Sequence, residues 1–247
     1  MLMKNFYSRF AAIVLAAVAT FGLTTAPAAA QAGREKRVEA AGRVRTPLNL
    51  AVLIQDDLVS RVGNEIKATA AFIRELPEGS RVMVGYIRAG TLQVRQPFTD
   101  DLTQAANALR IPVGSTAAAP YNPYVEVREA LKQFPEGGAN RNALLLVSDG
   151  LDASRGLDFA SSVTSVDLER AVREARKRNV AVYSFYAPSA GLTSWNSRAV
   201  SLGQSALNRI SDETGGRAFF QGTSFVTFDA YFERLSKAIN EREGVAY

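Results

Sequence analysis

The stretch Asn142-Ala143-Leu144-Leu145-Leu146-Val147-Ser148-Asp149-Gly150 decides the fold. A run of apolar residues closed by a polar turn predicts a strand buried on both faces. Such runs belong to parallel sheets covered by helices on both sides, because a sheet with one wet face alternates apolar with polar. Ligands on these sheets bind beyond the carboxyl ends of the strands. Asp149 is therefore expected at a rim where sites are built, or as a cap on its own turn, a common role for Asp.

The flanking sequence supports this. Leu48 to Ile54 reads as a first strand, ended by Gln55-Asp56-Asp57. Val59, Val62, Ile66, Ala70, Ile73 and Leu76 recur at helical spacing and stop at Pro77-Glu78-Gly79. Arg81 to Ile87 and Leu92 to Phe98 are separated only by a short turn at Ala89-Gly90, which predicts an antiparallel hairpin at a sheet edge. A short helix capped by Thr99-Asp100-Asp101 follows, then a loop from Ile111 to Pro120, then a helix bearing Val127, Ala130, Leu131 and Phe134. After Asp149 come a polar loop to Ser162, a helix with Leu168, Ala171, Val172 and Ala175, and a strand from Val180 to Tyr186. The loop Ala187 to Ser197 carries Trp195, the only tryptophan. A helix from Arg198 to Glu213 ends at Thr214-Gly215-Gly216. Arg217 to Phe220 is a short last strand, and Phe228, Tyr231, Leu235 and Ile239 mark a final helix. This alternation predicts an α/β fold: a doubly wound, mostly parallel central sheet with one antiparallel edge strand and helices on both faces.

The first thirty residues read as a secretory signal peptide. Lys4 and Arg9 precede an apolar run from Phe10 to Leu23, and Ala28-Ala29-Ala30 offers a cleavage site. The run is about fourteen residues, short of the roughly twenty needed to span a bilayer. Residues 31–47 read as a charged, flexible linker and 48–247 as the domain. The expected location is periplasmic or extracellular, with membrane attachment only if the signal peptide stays uncleaved.

The chain has no Cys and no His. Disulfides, zinc sites of the His/Cys type and His-based nucleophilic triads are thereby excluded. Any metal must be held by oxygen, which restricts it to magnesium, manganese or calcium. The net charge is +5, with part of the excess in Arg34, Lys36, Arg37, Arg43 and Arg45. Nucleic acid is not an expected partner, because the folded part has no single basic block. The turn after the first strand, Gln55 to Ser60, contains no glycine, and no phosphate loop of the Walker type appears, so nucleotide cofactors are not expected. Gly203-Gln204-Ser205 lies within a helix and is not a nucleophile elbow.

The order of elements, the Ser148-Asp149-Gly150 turn, the Gly114-Ser115-Thr116 loop, the edge hairpin and the segment Glu213-Thr214-Gly215-Gly216-Arg217-Ala218-Phe219-Phe220 together resemble the von Willebrand factor A-type domain. The resemblance covers about Leu48 to Ile239 and implies a Rossmann-like sheet whose carboxyl edge often carries a metal-ion-dependent adhesion site. The family's first loop reads Asp-x-Ser-x-Ser, with a Thr from a second loop and an Asp from a third. The Thr falls on Thr116 and the last Asp on Asp149. The first loop departs from the pattern. In one register its positions are Gln55, Asp57 and Val59; one residue later they are Asp56, Leu58 and Ser60. Neither restores the full set. The candidate ligands are Asp56, Asp57, Ser60, Thr116 and Asp149. Magnesium wants near-octahedral oxygen ligation, so this set implies weak binding or none, and no cofactor is required.

The resemblance implies a secreted, non-enzymatic, adhesion-like binding module, with a protein or envelope component as partner. Its binding surface is expected in the loops at the carboxyl edge, with Tyr121, Tyr124, Asp152 and Trp195 as candidate partner-binding residues and Phe159 nearby. One alternative is a metal-independent structural subunit of an envelope complex, docking through helix faces such as Glu169 to Arg178. A remoter one is a carboxylate-dependent hydrolase using Asp149 with Asp152, or Asp56 with Asp57.

Overall fold

In the computed structural model of the chain, the residues described are 44–59, 65–154, 165–220 and 228–241. The expected signal peptide, residues 31–43 of the expected linker, Ser60 and Phe159 lie outside them.

The strands are β1 (Leu48–Gln55), β2 (Arg81–Arg88), β3 (Thr91–Thr99), β4 (Arg141–Ser148), β5 (Val180–Tyr186) and β6 (Ala218–Phe219). The helices are α1 (Glu65–Arg74), α2 (Leu102–Asn107), α3 (Pro123–Leu131), α4 (Val166–Lys177), α5 (Ser197–Glu213) and α6 (Asp229–Glu241), with short 3-10 turns at Thr116–Ala118 and Leu192–Ser194. The sheet order is β3-β2-β1-β4-β5-β6. All pairings are parallel except β2 with β3, the antiparallel edge hairpin expected from the sequence.

Strand alternation divides the core in two. Leu48, Leu50, Val52 and Ile54 of β1 and Ala143, Leu145 and Val147 of β4 face one way, against Ile73 of α1, Ala105 of α2 and Tyr231, Leu235 and Ile239 of α6. Ala51 and Leu53 of β1 and Leu144 and Leu146 of β4 face the other way, against Val127 of α3, Leu168 of α4 and Leu207 of α5. The β4 run is thus apolar throughout because both of its faces are covered.

The helix ends follow from local chemistry. Asp101 Oδ1 caps α2 through Gln104 N, Asn122 Oδ1 caps α3 through Tyr124 N, and Asn196 Oδ1 caps α5 through Arg198 N and Ala199 N. α5 starts one residue earlier than the periodicity suggests, because Asn196 is the cap. The fold also begins before Leu48. Val44 is a core residue and Arg45 N donates to Asn240 Oδ1, so the end of the expected linker packs on the domain.

Candidate functional site at the carboxyl edge

The winding direction reverses between β1 and β4, so their carboxyl ends frame the place where such sheets build sites. β1 runs on through Gln55, one residue beyond the expected end. Side chains alternate along a strand, so Gln55 and Asp56 leave on opposite faces.

Gln55 lies over the end of β4. Its Oε1 accepts from Ser148 Oγ at 2.5 Å and from Asp149 N at 3.3 Å, while its Nε2 donates to Asp57 Oδ1 at 2.7 Å. Of the two sequence registers, the structure adopts the one that places Gln55 and Asp57 at the site. Asp149 Oδ1 accepts from Leu151 N at 3.1 Å and Oδ2 from Thr193 Oγ1 at 3.0 Å. Both carboxylates are buried. Burial first, and the neighbouring Asp149 charge second, push Asp57 up to about 7; burial also raises Asp149.

Asp56 stands on the other face and is not at the site. Arg110 grips it with both amino groups, Nη1 to Oδ1 at 2.5 Å and Nη2 to Oδ2 at 2.8 Å. Arg88 approaches Oδ2 at 3.3 Å, and Val113 N donates to Oδ1 at 3.1 Å. The Arg110 guanidinium lies 4.1 Å from the Tyr86 ring centroid, and Arg110 N donates to the Tyr86 hydroxyl at 2.7 Å. This clamp seats the loop that leads to Thr116, which is exposed at the start of its 3-10 turn.

A strap crosses the site. Val59 N donates to Pro188 O at 3.0 Å and Ala190 N to Asp57 O at 2.8 Å, around a Leu58–Ser189 bridge. The loop after β1 is thereby tied to the loop after β5, with Thr193 reaching Asp149 from within that second loop.

Among the described residues, the oxygen donors that meet here are already engaged by the protein. An amide donor, not a carboxylate, faces Asp57. Both oxygens of Asp149 accept protein hydrogen bonds, and Asp56 is taken by arginines. Among the described residues no three acidic side chains converge in a way that could hold a metal ion.

The candidate partner-binding residues divide. Tyr121 (69% exposed) and Trp195 (73%) stand in solvent, Tyr121 at a left-handed backbone position. Tyr124 does not: it is fully buried and its hydroxyl donates to Gly150 O at 2.8 Å, because the start of α3 turns it onto the sheet. Asp152 is also buried, its Oδ1 accepting from Ser154 N and Oγ in a local turn. Sequence reading named Gln55 as a register position and Ser148 as part of a turn without giving either a role, and it did not single out Ser189, Thr193 or Arg110. Gln55 and Ser148 had a visible signal, their places at the ends of apolar strands.

No family model and no curated protein sequence matches this chain. Solved structures do match. BatB, a conserved hypothetical protein of Bacteroides thetaiotaomicron, is 12% identical and covers 80% of this chain and 100% of its own, with a TM-score of 0.54. An aerotolerance-related membrane protein of Bacteroides fragilis is 13% identical and covers 78% of this chain and 99% of its own, with a TM-score of 0.52. The VWA domain of SpRpn10 is 14% identical over 82% of this chain and 100% of that domain, with a TM-score of 0.42. At such identities the likeness speaks for the fold alone, and the first two carry it. With the strand order and the antiparallel edge, it establishes that this chain shares their doubly wound, Rossmann-like α/β fold, the sheet that the resemblance to the von Willebrand factor A-type domain implies.

Proposed function

We propose that this chain is an exported, non-enzymatic protein-binding module of the cell envelope, which recognises its partner through the carboxyl-edge loops without a bound cation. One observation carries the reading. Among the described residues the exposed large apolar side chains are Val94, Ile111, Val113, Tyr121, Val125, Val166 and Trp195. All but Val94 lie on the loops or first helical turns at the carboxyl edge of the sheet. Apolar groups gathered at one end of a soluble fold mark an interaction surface, and Trp and Tyr are the residues that most often anchor one.

The cation-free part of the reading rests on Gln55 and on the arginine clamp around Asp56. The non-enzymatic part rests on Asp149 and Asp152, both buried, Asp149 held by Leu151 N and by Thr193 of the loop after β5, and Asp152 by Ser154. The B. fragilis neighbour is described as a membrane protein, which favours an envelope location. No helix among the described residues is long and apolar enough to cross a membrane.

The test is site-specific photocrosslinking in the native envelope. A photoreactive residue at position 195 or 121 is expected to capture one and the same protein. The same probe at exposed Gln133, at the amino edge, is expected to capture nothing. Capture at 133 alone, or at none of the three, would sink the reading.

A further inference from the structure

The charges of the carboxyl edge are sorted by depth. Its carboxylates Asp56, Asp57, Asp149 and Asp152 are all buried. Its arginines reach solvent: the side chains of Arg88 and Arg110 are 41% and 26% exposed, and Arg198 is exposed. Among the described residues the partly exposed acids in the first turn of α4 are already taken, Asp167 by Arg128, Arg170 and Asn122 and Glu169 by Arg173 and Arg209. Among the described residues, the unpaired part of the surface a partner meets is therefore apolar and cationic.

Arg198 breaks a local rule. It is the second residue of α5, beside the positive end of a seventeen-residue helix whose first turn holds no acid. A cation there is disfavoured by the helix dipole, and it forms no ion pair among the described residues. Departures from local preference of this kind gather at functional positions. Arg198 also stands three residues from Trp195, across the Asn196 cap.

We propose that the rim docks an acidic segment of the partner protein, one that interleaves carboxylates with apolar side chains. Arg198, with Arg88, receives the carboxylates by direct guanidinium hydrogen bonds and not through a metal. Trp195, Tyr121, Ile111 and Val113 receive the apolar side chains. Guanidiniums pair carboxylates in strong charge-assisted bonds, and charge complementarity of this sort sets which partners are accepted. The inference rests on the carboxyl edge being the binding surface and adds the chemistry of what binds there.

Trp195 is the only tryptophan, so its emission reports on this surface in the intact chain. The probes are a short synthetic peptide alternating Asp and Glu with Leu and Phe, the same peptide with Lys or Gln at the acidic positions, and vesicles of phosphatidylglycerol with phosphatidylcholine. A saturable emission change with the acidic peptide alone is expected. Arg198→Glu should weaken it by about tenfold or more, the scale of one charge-assisted contact, and Arg198→Lys by less. Far-UV circular dichroism of both variants should match the parent. An equal response to the Lys or Gln peptide would overturn the acidic specificity while leaving the rim as the binding surface. A response to vesicles alone would make the ligand a membrane and overturn the proposal. No response to any peptide, with crosslinking from position 195 still seen, would reject the acidic segment but not the rim.

Discussion

Arg110 holds Asp56 in a two-pronged grip, with contacts of 2.5 Å and 2.8 Å, and so removes from the carboxyl edge a carboxylate that the sequence offers as a cation ligand. Asp56 has no solvent exposure, so its charge depends on that partner. Arg110→Leu strands a buried carboxylate and should cost about 3–5 kcal/mol. Asp56→Asn with Arg110→Leu together should cost less than Arg110→Leu alone. Chemical denaturation of the single and double variants measures both. Equal losses would mean that the pair is not coupled.

Asp57 makes stability depend on pH. Its carboxyl is raised from 3.8 to about 7 by burial and by Asp149. A raised acid holds its proton better in the folded chain, so its contribution is fully present below pH 3.8 and is lost as pH climbs to 7. Glu126, raised to about 7 chiefly by burial, acts in the same direction and window. Asp57→Asn should therefore leave stability unchanged near pH 4 and raise it at pH 8 by on the order of 2 kcal/mol. Thermal unfolding across this range checks the sign. A variant that is less stable at pH 8 would contradict it.

Gln55 stands where a cation site would need a carboxylate. The parent chain should unfold at the same temperature in millimolar magnesium and in EDTA. Gln55→Asp should lower the unfolding temperature in EDTA, because it sets another carboxylate beside Asp57 and Asp149. Magnesium should then restore it, with about 2.7 kcal/mol of stabilisation at a hundred times the dissociation constant. A magnesium-dependent rise in the parent would mean that the site loads as it is.

Gly203 of α5 packs against the Asp149–Gly150 turn without room for a methyl group, since a Cβ there would run into the Asp149 carbonyl. Gly150, at φ +70, is crowded from the other side by Gly203 O and Leu207. Gly203→Ala should cost about 1–3 kcal/mol, even though alanine is the better helix former. A stabilised Gly203→Ala would show that the turn yields easily.

Trp195→Ala separates binding from folding. The ring is 73% exposed, so its loss should change stability by no more than about 0.5 kcal/mol. Partner capture from a photoreactive residue at position 121 should nevertheless fall sharply. Full capture by this variant would move the anchor away from Trp195.

The sequence by itself determined the sheet and its helices. The run Leu144, Leu145, Leu146 and Val147 is the pattern of a strand covered on both faces, as in a parallel sheet, and the short Ala89-Gly90 turn between two strand patterns is that of a hairpin. These are local periodicities and turn chemistries, readable without knowing what lies across the molecule. The carboxyl edge was only partly legible. The order of residues 55 to 60 allowed two registers, and a shift of one residue sends every side chain to the opposite face. Which register holds was decided by partners far along the chain: Ser148 and Asp149 for Gln55, Arg110 for Asp56. The same distance hid the burial of Tyr124 against Gly150 and the reach of Thr193 to Asp149. Charge, too, appeared in the sequence only as a total. That Asp56, Asp57, Asp149 and Asp152 point inward while Arg88 and Arg198 reach solvent at one edge is a property of packing, because burial is set by what each side chain meets across the fold.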